Sequence, residues 1–143
     1  MKKMLILLCA TSLLQPLFAQ QATVTETVET VKTYPFSDPD PVADPSDLFY
    51  PYFRFDGFSA KGTDRQWKVV SLENDYIKLT LFPEIGGKIW GAVDKTTGKE
   101  FIYNNHVVKF RDIAMRGPWT SGGIEFNFGI IGHAPTSSTP IDY

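Results

Sequence analysis

Apolar and polar positions alternate most cleanly between Lys68 and Phe82. From Tyr76 to Phe82, Ile77, Leu79 and Leu81 alternate with Tyr76, Lys78, Thr80 and Phe82. This period of two sends successive side chains to opposite faces of a strand. Lys68 to Glu73 (KVVSLE) precedes it, and the Asn74-Asp75 pair joins the two segments as antiparallel strands around a tight turn. After Pro83-Glu84-Ile85-Gly86-Gly87 the chain resumes as Lys88 to Asp94, turns through Lys95-Thr96-Thr97-Gly98 and returns as Glu100 to Tyr103. That is a second hairpin, in which Gly98 is free to take a positive φ. Val107 to Phe110 is one more short strand. Ala114 to Pro140 reads mostly as loop, and a loop of that length is uncommon in a compact domain unless it serves a site.

Upstream of these hairpins the signals differ. Val24, Val28 and Val31 are spaced like one helix face, yet the density of β-branched residues in Thr23 to Thr33 favours an extended strand or arm, because such residues lose rotamer freedom in helices. Tyr34 to Asp47 repeats Asp-Pro, and each proline drives its predecessor out of the helical region, giving an irregular connector. Leu48 to Phe58 is so rich in Phe and Tyr that it is expected to dock against a sheet. Met1 to Ala19 has the charged start, apolar stretch and small terminal residue of a secretory signal peptide, with cleavage expected near Ala19 and an exported, periplasmic or secreted product. Its apolar run is too short and too interrupted to span a membrane, and the mature chain carries no membrane span. The only cysteine, Cys9, lies inside it, so the mature chain has no disulfide, thiol nucleophile or cysteine-based zinc site. The expected organisation is a signal peptide over 1–19, an extended β-branched and Pro/aromatic-rich arm over 20–65, and a β-domain over 66–143. With five or six strands and long open edges, the chain is expected to be the N-terminal piece of a longer protein.

Composition narrows the classes. Among 143 residues, 14 Lys+Arg face 16 Asp+Glu, a formal net charge of −2, so no large basic field is available to hold nucleic acid. The aromatic share is high, with 11 Phe, 6 Tyr and 3 Trp, and 10 Pro with 11 Gly interrupt the chain. This mix suits short strands and structured loops rather than long helices.

Candidate chemistry concentrates in Arg111 to His133 (RDIAMRGPWTSGGIEFNFGIIGH). Trp119 offers a face for the apolar side of a sugar ring, while Arg116, Glu125 and Asn127 can hydrogen-bond hydroxyls. Glu125 and His133 are the candidate general acid–base pair, since imidazole titrates near neutral pH and a desolvated carboxylate can be raised toward it. Each also has a plain alternative: Glu125 as a half-buried strand residue paired with an arginine, His133 as a loop residue capping carbonyls, Trp119 as packing. His106 reads as a solvated turn residue. No metal-ligand spacing, G-x-S-x-G frame, G-x-G-x-x-G or P-loop is present, so neither a metal nor any other cofactor is expected.

Six blocks, PYFRFDG (Pro51 to Gly57), LEND (Leu72 to Asp75), PEIGGKIWGA (Pro83 to Ala92), FIYNN (Phe101 to Asn105), VKFRDIAMRGPWTSGGIE (Val108 to Glu125) and GIIGHAPT (Gly129 to Thr136), resemble a bacterial domain family of unknown function, the DUF5107 type. That family occurs in large secreted proteins ahead of tetratricopeptide repeats and looks like a relative of galactose mutarotases. The resemblance implies an all-β fold, the N-terminal portion of a galactose mutarotase-like β-supersandwich, and a carbohydrate ligand. It also implies acid–base chemistry on a sugar, with His133 lining the pocket beside Arg116, Trp119 and Glu125. The base glutamate of mutarotases comes from later in the fold than this chain reaches, so Glu125 does not inherit that role. The alternative is a non-catalytic scaffold or glycan-binding module, with protein partners engaged through repeats downstream.

Overall fold

Asn74 makes the first hairpin. Its Oδ1 accepts the backbone N–H groups of Tyr76 and Ile77, both at 2.9 Å, and its own N–H reaches the Ile77 carbonyl at 3.0 Å. These bonds close β2 (Thr63–Glu73) onto β3 (Ile77–Phe82), antiparallel, with Glu73 opposite Lys78 and Val70 opposite Leu81. A single 3-10 turn, Pro83–Ile85, and two left-handed glycines, Gly86 and Gly87, then reverse the chain into β4 (Lys88–Asp94), which pairs antiparallel with β3. The second expected hairpin joins β4 to β5 (Lys99–Ile102). Asp94 caps its turn, Oδ1 accepting from Thr96 N at 2.8 Å and Thr96 Oγ1 at 2.6 Å, and Gly98 takes φ +69°.

The computed structural model describes residues 21–45, 50–112, 118–127, 133 and 136–143, and among them the fold is all-β. The signal-peptide segment lies outside the described residues. The β-branched stretch is the extended strand its composition favours: β1 (Thr23–Tyr34) runs antiparallel to β2, from Thr23 opposite Glu73 to Thr33 opposite Thr63. On its other side β1 meets β6 (Val107–Asp112) in parallel, at Lys32 to Tyr34. A short β7 (Pro118–Thr120) pairs antiparallel with β6, completing a seven-stranded sheet in the order β5-β4-β3-β2-β1-β6-β7. The sheet curls. Just after β7, Ile124 exchanges backbone hydrogen bonds with Ile89 of β4, at 2.8 and 3.2 Å, which brings the two flanks of the half-barrel together.

The core fills the inside of this curl. Trp67 and Val69 from β2, Phe82 from β3, Ile85, Trp90 from β4, and Val108 with Phe110 from β6 form one buried cluster, with Val31 and Phe36 packed against it. Burying an aliphatic or Phe side chain of this kind is worth ~1.5–3 kcal/mol. Both buried indoles find acceptors, as a buried N–H must: Trp67 Nε1 donates to Thr33 Oγ1 at 2.9 Å and Trp90 Nε1 to the Asn105 carbonyl at 2.7 Å. The aromatic connector docks in part. Phe36 bridges to Phe58 and meets Phe53 edge-on at 5.8 Å, whereas Tyr50 and Phe55 stay exposed. The last residues run along the sheet, the Ile141 N–H bonding the Pro83 carbonyl at 3.0 Å.

Candidate functional site

Two reversals bring the site together. At one flank, the turn through Gly86 and Gly87 delivers Lys88 to the start of β4; at the other, Gly122 (φ +88°) and Gly123 (φ +67°) turn the chain back after β7. A Cβ on Gly123 would stand 2.1 Å from the Ile89 carbonyl oxygen, so only glycine permits the close approach of the two flanks. The Ile89–Ile124 bridge then sets Glu125 beside Lys88.

The Glu125 carboxylate is the centre of the arrangement. Its Oε2 accepts the indole N–H of Trp119 at 2.7 Å and faces His133 Nδ1 at 3.0 Å. The Glu125 side chain is 13% exposed and that of His133 33%. A proton on Nδ1 serves the carboxylate, which leaves Nε2 as the nitrogen able to exchange a proton with a bound molecule. The Trp119 and His133 rings meet edge to face, centroids 5.9 Å apart.

Lys88 completes the group. Its side chain is buried, its Nζ donates to the Thr120 carbonyl and sits 4.8 Å from the centre of the Trp119 ring. Burial depresses the Lys88 ammonium below the ordinary lysine range, and the negative charge of Glu125 opposes that shift. Ile85, Gly86, Phe126, Thr136 and Ser137 join Lys88, Trp119 and Glu125 around a small open cleft of ≈ 70 Å³. The lining therefore offers two charged groups of opposite sign, two hydroxyls and two aromatic surfaces.

Three residues expected from the sequence, Trp119, Glu125 and His133, converge here. Asn127 lies exposed, two residues beyond Glu125, and Arg116 falls outside the described residues. His106 is an exposed bend residue, away from this cleft. Lys88 is the member that sequence reasoning passes over. Its signal was the period of two in β4, which puts Lys88 on the same face as the core residue Trp90.

A family model described as a domain of unknown function (DUF5107) matches residues 44–143. Among solved structures, the chain is similar to a TPR-domain containing protein from Parabacteroides distasonis, with a TM-score of 0.73 and 29% identity over 85% of this chain. The match spans 21% of that protein's chain. No helix among the described residues is long and apolar enough to cross a membrane.

Proposed function

The chain belongs to the DUF5107 family of domains of unknown function, and from the site it carries we propose that it is an exported carbohydrate-recognising domain of galactose mutarotase-like type. The carrying observation is the Glu125 carboxylate held between Trp119 Nε1 and His133 Nδ1, at 2.7 and 3.0 Å, on the wall of an open cleft. A sugar presents hydroxyl donors and acceptors around an apolar ring. Glu125 accepts from hydroxyls, Lys88 donates to them, and the Trp119 and Phe126 rings face the C–H surface. The His133–Glu125 pair is suited to move a proton at the anomeric hydroxyl or ring oxygen, the chemistry a sugar-processing member would use. The solved relative's description as a TPR-domain containing protein supports protein partners engaged through repeats elsewhere in the polypeptide.

The test is calorimetric titration of the chain with galactose and glucose, beside a glycan array. Saturable binding, weakened at least tenfold in Glu125→Gln and Trp119→Ala, is the expected result. An absence of binding to every glycan would overturn the reading. Polarimetry then separates enzyme from platform: an enzyme loses turnover in a folded His133→Ala variant, whereas a platform shows no turnover in the parent.

A further inference from the structure

Lys88 is buried to 6% exposure, while the other described lysines are exposed or half-exposed. A structural lysine of this kind is expected to satisfy its donors within the protein. Lys88 donates to the Thr120 carbonyl and also lines an open cleft. Its surroundings are those that make an amine reactive. Ile85 lines the cleft with it, the Trp119 ring flanks Nζ at 4.8 Å, and the same ring meets His133, which is bonded to Glu125. A desolvated lysine beside an acid–base pair is the arrangement that amine chemistry on carbonyl groups requires.

We propose that Lys88 is a carbonyl-condensing amine, and that the cleft takes the open-chain aldehyde form of a reducing sugar. The proposal rests on the reading of the cleft as a sugar site and names the reacting form. The Lys88 ammonium passes one proton to the His133–Glu125 pair. The Nζ lone pair then forms a bond to the aldehyde carbon, and the carbonyl π electrons move to oxygen. A second proton passes from nitrogen to that oxygen, giving a neutral carbinolamine. The pair returns its proton to the hydroxyl, the C–O bond breaks and water leaves, with a protonated imine on Lys88. Atoms and charge balance, and no oxidant or reductant takes part. Depression of the ammonium by burial favours the first step.

Reductive trapping tests this. The chain is incubated at neutral pH with glycolaldehyde or with D-galactose in the presence of cyanoborohydride, and adducts are mapped by peptide mass spectrometry. The expected result is an adduct at Lys88 formed at least tenfold faster than at exposed Lys68 or Lys78. Lys88→Arg, which keeps a cation able to donate to the Thr120 carbonyl, shows none there while its circular dichroism and melting match the parent. Adducts spread over exposed lysines with Lys88 spared would overturn the proposal. Calorimetry on the same samples separates the two claims: sugar binding without a Lys88 adduct removes the amine chemistry alone, and neither binding nor adduct removes both.

Discussion

His133 Nδ1 lies 3.0 Å from Glu125 Oε2, eight residues away along the chain. Glu125 is also held by the Trp119 indole, and its neighbour Ile124 by the bridge to Ile89.

The Trp67–Thr33 pair anchors β1 to β2 inside the core. Thr33→Val keeps the shape but leaves the Trp67 N–H, in a side chain 1% exposed, without its acceptor. A loss of ~1–3 kcal/mol in urea unfolding is expected. Adding Trp67→Phe to Thr33→Val should cost less than the sum of the two single changes, because the orphaned donor is gone.

Glycines at positive φ differ in what they permit. Gly98→Ala adds only backbone strain, since nothing lies within 4 Å of the new Cβ, and should cost ~1–2 kcal/mol. Gly123→Ala carries the same strain and also drives its Cβ into the Ile89 carbonyl. It should cost clearly more in thermal melts and perturb the local environment of Trp119, seen in its indole N–H resonance.

Much of this fold was legible along the chain, and the parts that were not share a cause. The two hairpins are local: Asn74, Asp94 and Gly98 announce their turns, and alternation announces the strands. The place of β1 was not readable, because its partner is fifty residues away, as in Thr23 opposite Glu73, and pairing at that separation leaves no short-range mark. The site was half legible. Trp119, Glu125 and His133 stand out by type within a glycine-rich run, whereas Lys88 resembled any strand lysine until the curl of the sheet buried it.

Lys88 gives a pH test of that burial. Its amine is depressed in the folded state below the ordinary value of 10.5, so between the two the unfolded chain binds more protons than the folded one. The cost of burying the charge is therefore present at neutral pH and relieved as pH rises toward 10.5. Relative to Lys88→Met, the parent should gain stability across that rise, followed as the difference in Tm between the two.

Asp94 predicts a trend of the same sign in acid, stability falling as pH falls. Hydrogen bonds from the Thr96 side chain and backbone hold its carboxyl below the ordinary 3.8, so its contribution is present above that value and lost as pH falls through the depressed one. The stability difference between the parent and Asp94→Asn should close in strong acid, as read from melts at successive pH values.

The proposed sugar site on Glu125 and Trp119 can be read from the indole N–H resonances. Trp67, Trp90 and Trp119 donate to three different acceptors, Thr33, the Asn105 carbonyl and Glu125, so their signals report three separate places. In a 15N-edited NMR titration with galactose and with a ligand taken from the glycan array, a saturable shift of the Trp119 indole N–H is expected. Those of Trp67 and Trp90 should stay in place, and the shift should vanish in Glu125→Gln. Saturable binding that leaves the Trp119 signal unmoved would contradict it.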